Sequence, residues 1–246
     1  MDFTLKTYTT LLTSLQHAGY TFQTFEEFIS QPVKKVVVLR HDVDKLPENS
    51  LQFARIQHEM GIKGTYYFRA VPQSWDEAII KEIAGMGHEI GYHYENMDTA
   101  SKNIKREKGK GKKEKAVFDN LLDYAFEDFQ TNLEKLRQLV PVSTICMHGS
   151  PLSSYDNREI WKKYDYKDLN ILAEPYFDVD YHKVFYITDT GRKWNNSSAS
   201  IRDKVDTGFD IKIRNTQEFA SLATQDKLPN QIMINIHPQR WFNPGP

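Results

Sequence analysis

Short apolar runs alternate with segments of helical periodicity along most of this chain of 246 residues. The runs are rich in β-branched and aromatic residues, which favours strands, and the segments between them repeat apolar residues at helical spacing. Predicted strands lie at 35–39, 64–68, 89–93, 144–148, 171–172, 184–188 and 232–237, and predicted helices at 8–19, 50–60, 76–86 and 115–139. This alternation predicts βαβ units with a mostly parallel sheet, and about seven such units favour a barrel over an open sheet.

The chain shows no internal repeat and no clear domain boundary, so we expect a single α/β domain over residues 1–246. Residues 1–33 are predicted to form a helical extension before the sheet. Residues 98–115 are predicted to form a basic loop insertion, because the stretch 102–115 contains eight Lys or Arg residues and two glycines. A charge run is usually a solvated surface loop. The alternative is a mobile flap over an anionic substrate, such as a nucleotide- or lipid-linked sugar.

The composition limits the compartment and the partners of the chain. Hydrophobic residues make up 39% and charged residues 26%, which is enough apolar material for a sizeable core. The formal net charge of −1 gives no positive field for nucleic acid. Cys146 is the single cysteine, so no internal disulfide can form and a reducing compartment is expected. The first residues lack the layout of a secretion signal, and no apolar run is long enough to span a membrane, so we expect a cytoplasmic location.

A polar cluster, residues 40–44, follows the apolar run Val36–Leu39 without a break. Because side chains alternate along a strand, Asp42 and Asp44 are predicted to face one side and His41 the other. Two carboxylates that face one spot repel each other unless a metal ion or a proton lies between them. The simpler alternative is a capping turn for the helix that follows, but a cap requires only one Asp. The cluster therefore favours a functional site.

Histidines recur at the exits of the predicted strands, whereas His88 lies at a strand entry. Four of the eight histidines lie at or just after strand ends: His41, His93, His148 and His237. In α/β folds the carboxyl ends of parallel strands meet at one rim, where ligands bind. Asp and His ligands with an open position suit Zn²⁺, with Co²⁺ or Ni²⁺ as alternatives. With a carboxylate to accept a proton from water and a histidine to protonate the leaving group, this pattern predicts metal-assisted hydrolysis of an amide or ester.

The order and spacing of these clusters resemble the polysaccharide deacetylase family, which is carbohydrate esterase family 4. The segment 40–44 is similar to the family's first motif, the glycine-framed segment 87–93 to the lead-in of its second motif, and the segment 234–237 to its closing motif. The segment 189–194 is similar to its motif with Asp and Trp. The resemblance implies a distorted (β/α) barrel with about seven parallel strands.

The same resemblance implies roles for individual residues. Asp42 is the expected catalytic base, and His237 is the expected general acid. Asp189 is expected to orient this acid. Asp44 and His93 are expected to ligate the metal.

The third metal ligand departs from the family pattern, because Met97 stands where the second motif has its second histidine. His148 lies where the family has the arginine of its third motif, and we place it in the predicted metal set. Glu95 is the other candidate for this position. Four residues are expected to contact the substrate: His41, Tyr94, Glu95 and Trp194.

These residues together predict a hydrolase acting on carbon–nitrogen bonds other than peptide bonds. The expected reaction removes an acetyl group from an N-acetylated sugar or polysaccharide precursor, with a carbohydrate as partner and without nucleic acid. The missing ligand at Met97 leaves a related amide hydrolase with weak or no metal dependence as an alternative. A third hypothesis is a carbohydrate-binding barrel without catalytic activity. The presence of both aspartates and of the histidines at the strand ends speaks against it.

Overall fold

The computed structural model describes residues 1–107, 114–149, 153–194 and 205–242. The strands are β1 (Thr21–Gln23), β2 (Val36–Val43), β3 (Thr65–Phe68), β4 (Glu89–Tyr94), β5 (Ile145–Met147), β6 (Phe185–Thr188) and β7 (Gln231–Ile236). The helices are α1 (Leu5–His17), α2 (Phe25–Ser30), α3 (Pro47–Glu59), α4 (Glu77–Gly85), α5 (Asn96–Glu107), α6 (Glu114–Arg137), α7 (Pro175–Asp178) and α8 (Thr216–Thr224). Short 3-10 helices span Asn157–Lys162, Tyr166–Leu169 and Pro238–Arg240. None of the helices in these ranges is long and apolar enough to cross a membrane.

All strand pairs of the sheet are parallel, and β2 lies at its centre. The strand order is β5-β4-β3-β2-β7-β6, with β1 as an additional partner of β2. One edge of β2 pairs with β1 along 36–38 and with β3 along 40–43, and the other edge pairs with β7 along 36–41. Neighbouring strands therefore cover both edges of β2, and all eight of its residues are buried.

The sheet is strongly curled into a half-barrel of seven strands. β5 and β6 lie at its two ends, and no strand pair joins them within the described ranges. This confirms the predicted α/β fold with a distorted barrel of parallel strands. The strand predicted at 171–172 is instead a single parallel bridge between Thr144 and Ala173. There the amide of Ile145 donates to the carbonyl of Ala173 at 3.1 Å.

The N-terminal extension is not purely helical, which corrects the prediction for residues 1–33. It contains α1 and α2, but β1 lies between them. Three residues are too few to show an alternating pattern, so periodicity does not reveal this strand. Because β1 pairs with residues 36–38, the extension contributes a strand to the central sheet.

The basic segment 98–115 is also corrected, because its described part, 98–107 and 114–115, is helical throughout. Its first residues belong to α5 and its last residues to α6. Only 108–113 lie outside the described residues, and the flap hypothesis depends on them. Lys and Arg are good helix formers, so a basic run does not by itself predict a loop. Met97 and Ala100 are 0% and 3% exposed and anchor the start of α5 in the apolar core.

The two faces of the sheet bury different side chains. The face toward the helices carries Val37 and Leu39 of β2, which belong to the main apolar core. The concave face carries Val36 and Val38, which belong to a second, smaller apolar cluster. Because alternate residues of a strand face opposite sides, the even-numbered polar residues that follow in β2 continue along the concave face. This alternation brings them to the carboxyl end of the half-barrel.

A substitution of Gly91 in β4 would test how closely the concave face is packed. A Cβ atom there would lie 2.2 Å from Cε1 of Tyr67 and 2.9 Å from the carbonyl oxygen of Thr144. We expect Gly91→Ala to lower the free energy of unfolding by about 1–3 kcal/mol, the usual cost of an overpacked core. Gly85→Ala is the matched control, because a Cβ there meets nothing within 4 Å. Urea unfolding followed by circular dichroism compares the two variants, and equal stabilities would contradict this packing.

Candidate functional site

The polar side chains predicted at the strand exits converge on the carboxyl end of the half-barrel. They are Asp42 and Asp44 at β2, His93 and Glu95 at β4, His148 at β5, Asp189 at β6 and His237 at β7. The five strands are parallel, so their carboxyl ends share one rim. Imidazole–carboxylate distances of 4.0 Å or less connect all seven side chains into one group, which we call the rim cluster.

Asp44 lies between two imidazoles of the rim cluster. Its Oδ1 is 3.6 Å from Nε2 of His93 and 3.4 Å from Nε2 of His148. This oxygen is buried and has no hydrogen-bond partner in the described part of the chain. Burial alone would raise the pKa of Asp44, but the imidazoles of His93 and His237, when protonated, outweigh burial and hold this pKa below its usual range. One donor atom from each of Asp44, His93 and His148 lies within 4.8 Å of the others, so these residues could hold a metal ion.

A backbone carbonyl fixes the proton of neutral His93. Its Nδ1 lies 2.9 Å from the carbonyl oxygen of Cys146, and a carbonyl can only accept a hydrogen bond. Nδ1 therefore carries the proton, and Nε2 presents its lone pair to Oδ1 of Asp44. Two acceptors that face each other at 3.6 Å repel unless a cation or a proton lies between them. This orientation suits a metal-binding histidine, whose second nitrogen donates to a carbonyl or carboxylate.

Glu95 is held by Arg69 and faces the other nitrogen of His148. Nε and Nη2 of Arg69 donate to the carboxylate of Glu95 at distances from 2.7 to 3.1 Å. Oε2 of Glu95 lies 3.4 Å from Nδ1 of His148. Burial would raise the pKa of Glu95, but His148 and Arg69 lower it to about 2, so this carboxylate is ionised. With Nδ1 on the side of Glu95, Nε2 of His148 is the nitrogen that faces Oδ1 of Asp44, at 3.4 Å.

Arg40 forms a buried ion pair with Asp42. Nε and Nη2 of Arg40 donate to the two oxygens of Asp42 at 2.9 and 2.6 Å, and Nη2 also donates to the hydroxyl of Tyr176 at 3.2 Å. Burial alone would raise the pKa of Asp42, but the charge of Arg40 outweighs it and the pKa is lowered to about 2. Sequence reasoning missed Arg40. The signal was available, because the two-residue spacing that places Asp42 and Asp44 on one side also places Arg40 there.

His237 and Asp189 form a second buried pair beside Asp42. Nδ1 of His237 lies 2.6 Å from Oδ1 of Asp189, and the backbone amide of His237 donates to Oδ2 at 3.0 Å. The indole of Trp241 also donates to Oδ2, at 2.6 Å. Burial would lower the pKa of His237, but Asp189 outweighs burial and raises it. Sequence reasoning missed Trp241, because its partner lies 52 positions earlier in the chain.

His41 and Tyr94 lie on the opposite face of the sheet, which corrects their predicted contact with substrate. Each directly neighbours a residue of the rim cluster in sequence, so strand alternation turns it away from that cluster. His41 is fully buried, and its ring stacks on the ring of Tyr66 with 4.1 Å between the ring centroids. Its Nε2 lies 2.8 Å from Nε2 of Gln57. Burial lowers the pKa of His41 to about 3, so its imidazole is neutral. Tyr94 is also fully buried, and its hydroxyl accepts from Trp161 at 3.0 Å.

Trp194 lies in the apolar core behind the His237–Asp189 pair. Its indole donates to the hydroxyl of Thr216 at 3.1 Å, and its ring lies 6.0 Å from the ring of Trp241. Trp241 therefore stands between Trp194 and Asp189. The structure brings Trp194 close to a residue that supports the rim cluster, and its predicted contact with substrate stays a prediction.

No protein-family model matches the sequence, and no curated protein matches it. Among solved structures, a pseudoenzyme of carbohydrate esterase family 4 from Bacillus anthracis is 12% identical, with a TM-score of 0.46, and the match covers 85% of this chain and 56% of that one. A mutant of this pseudoenzyme with restored enzymatic activity is 11% identical, with a TM-score of 0.40 and coverage of 85% and 58%. The chain is structurally similar to these family 4 proteins at low sequence identity.

A family 4 carbohydrate esterase from Bacillus anthracis is a third solved structure that is similar to the chain. It is 13% identical, with a TM-score of 0.40, and the match covers 90% of this chain and 88% of that one. The chain spans just over half the length of the pseudoenzyme, and the predicted resemblance is confirmed as a similarity of structure.

The pairing of Arg40 with Asp42 predicts a large stability effect. Arg40→Leu leaves a buried carboxylate without its partner, and we expect a loss of about 3–5 kcal/mol in the free energy of unfolding. Asp42→Asn introduced into that variant should restore part of the loss, because it removes the unpaired charge. Arg55→Leu is the control, since the pair of Arg55 and Glu82 is exposed and such pairs contribute less than about 1 kcal/mol. A double variant no more stable than Arg40→Leu would contradict this account in urea unfolding.

Proposed function

We propose that the chain is a metal-dependent hydrolase that removes the acetyl group from an N-acetylated sugar. One observation supports this above all: the free Oδ1 of Asp44 faces Nε2 of His93 and of His148 within 3.6 Å, and the His237–Asp189 pair lies on the other side of Asp42. A site for a Lewis acid thus lies beside a paired histidine. This is the combination that amide hydrolysis requires.

The donors of the rim cluster fit a divalent metal ion. Asp44, His93 and His148 would hold it, and one carboxylate with two imidazoles is a donor set for Zn²⁺, Co²⁺ or Ni²⁺. When bound, such an ion lowers the pKa of water and polarises the carbonyl oxygen of an amide. The donors around Glu95 suit a cation less well, because Arg69 already neutralises this carboxylate at 2.7 Å.

Asp42 lies where a proton acceptor is needed. Its Oδ2 is 3.9 Å from Nε2 of His93 and 4.0 Å from Nε2 of His237, so it lies between the proposed metal ligands and the proposed acid. Arg40 keeps it ionised and fixes its orientation through two hydrogen bonds. The same pairing lowers its affinity for a proton, so Asp42 is a weak base that depends on an acidified water molecule.

His237 lies where a departing amine can be protonated. Asp189 accepts from its ring and raises its pKa, which favours the protonated imidazole that a general acid requires. Trp241 and the backbone amide of His237 hold Asp189 in place through its second oxygen. An amide nitrogen leaves only after protonation, whereas many ester oxygens leave without it. The supported histidine therefore favours a carbon–nitrogen bond as the target.

The acetylated sugar itself is inferred from the resemblance of the segments 40–44, 87–93 and 234–237 to polysaccharide deacetylases. A carbohydrate-binding protein without turnover is a second candidate function. The observation that favours it is the pairing of Asp42 with Arg40, which lowers the pKa of the proposed base to about 2. The two functions differ in one measurement, since a binding protein retains an N-acetylated oligosaccharide and releases no acetate from it.

The proposed metal ligands predict the effect of Asp44→Asn. We expect this variant to bind Zn²⁺ and Co²⁺ at least about 100-fold more weakly in calorimetric titrations, because loss of a ligand exceeds the 10–100-fold effect of outer-shell changes. Acetate release from a panel of N-acetylated oligosaccharides should be lost with it. Asp168→Asn is the control, because Asp168 is exposed. A chain that binds neither metal, or that binds one and releases no acetate from the panel, would contradict the proposed hydrolase.

The acid role of His237 predicts a dependence on the leaving group. His237→Gln should slow hydrolysis of an N-acetyl amide by about 10²–10⁴-fold, the usual contribution of a general acid. Hydrolysis of an aryl acetate should fall much less, because a phenolate leaves without a proton. His17→Gln, at an exposed position of α1, is the control. If His237→Gln lowered the rates of amide and aryl acetate hydrolysis by the same factor, His237 would have a role other than protonation of the leaving group.

A further inference from the structure

The short turn after β7 reaches back to the proposed metal ligands. Nε2 of Gln239, in the 3-10 helix Pro238–Arg240, donates to Oδ2 of Asp44 at 2.8 Å. The turn is tied to α3, because the side chain of Asn49 donates to the carbonyl of Pro238 at 3.3 Å. Gln239 and Asp44 are 195 positions apart in the chain, so only the fold brings them together.

We propose that Gln239 is a positioning residue that selects which oxygen of Asp44 faces the metal, an inference that rests on the proposed function. With Oδ2 engaged by Gln239, Oδ1 is the oxygen that faces the Nε2 atoms of His93 and His148. Oδ1 is also the oxygen without a hydrogen-bond partner among the residues described. A carboxylate held in this way offers one oxygen to a metal, and outer-shell hydrogen bonds of this kind orient ligating carboxylates.

Packing restrains the carboxylate of Asp44 less than that of Asp42, so its hydrogen bond to Gln239 has more effect on its orientation. Asp44 follows the end of β2, and its side chain is 22% exposed, whereas that of Asp42 is 3% exposed. Nη1 of Arg69 donates to the backbone carbonyl of Asp44 at 3.0 Å, which fixes the main chain but leaves the side chain free to rotate. Rotation of a carboxylate about χ2 has a broad energy profile. Gln239 therefore supplies the restraint on the carboxylate plane that the backbone contact does not supply.

The second atom of the Gln239 amide contributes no hydrogen bond to the described part of the fold. Its Oε1 is buried and has no hydrogen-bond partner in the described ranges. A buried acceptor without a partner costs free energy, so an apolar side chain of equal length would serve packing at least as well. A positioning role predicts that removal of the amide weakens metal binding and leaves the metal-free fold intact.

Gln239→Met tests this inference, because methionine keeps the length of the side chain and removes the donor. The full chain is freed of metal with a chelator, and Zn²⁺ affinity is measured by competition with a chromophoric chelator. We expect the Kd of the variant to rise about 10–100-fold, the usual effect of losing an outer-shell partner. The Co²⁺-loaded variant should absorb more weakly in the visible range, because a freed carboxylate can bind through both oxygens and raise the coordination number. Gln225→Met is the matched control, since Gln225 is exposed and its amide donates to Ser221.

The outcomes separate this inference from the proposed function. A raised Kd and a weaker Co²⁺ spectrum in Gln239→Met, with the metal-free unfolding midpoint and Gln225→Met unchanged, support the positioning role. Equal Zn²⁺ affinity and equal spectra in Gln239→Met and the unsubstituted chain would overturn it while leaving the metal site in place. A lowered unfolding midpoint of metal-free Gln239→Met would assign Gln239 to the fold and also overturn it. An unsubstituted chain that binds neither Zn²⁺ nor Co²⁺ would overturn the proposed function and this inference together.

Discussion

The buried ion pair between Arg40 and Asp42 is the interaction on which the rim cluster depends. A charge removed from water is tolerated only when it is paired and hydrogen-bonded, and β2 is buried along all eight residues. Arg40 supplies this pairing from a position two residues away, through two hydrogen bonds within one strand. Asp42 can therefore stay ionised inside the half-barrel, and no other strand has to contribute a cation. The imidazoles of neighbouring strands are left free for other partners.

Parallel register then decides which residues lie beside the two aspartates. Because His41 pairs with Ile236, the next position brings His237 level with Asp42. Val43 of β2 pairs with Phe68 of β3, and Phe68 pairs with Tyr92 of β4. One position further along these strands, His93 therefore lies level with Asp44. Asp42 thus lies beside the proposed acid, and Asp44 lies beside a proposed metal ligand. The proposed division of roles between the two aspartates rests on the register of the sheet.

The sequence predicts features that depend on local spacing and misses those that depend on distant partners. The strands and the rim are predictable, because apolar runs and their polar exits are local patterns. The same alternation rule places His41 on the face opposite Asp42, and its predicted contact with substrate ignored that rule. Gln239 and Trp241 could not be found, because their partners lie 195 and 52 positions away. β1 has three residues and is too short to show a period.

The same geometry brings His148, the candidate for the place of the missing histidine, to the rim. Met97 is fully buried in the apolar core at the start of α5, so it offers no donor to the rim. The neighbouring strand β5 pairs His93 with Cys146, and the amide of His148 donates to the carbonyl of Tyr94 at 2.9 Å. His148 therefore enters the rim next to His93 from a different strand. A metal site requires donor atoms in the right places and not in a fixed order along the chain, so the substitution at position 97 is not by itself an argument for a metal-free mechanism.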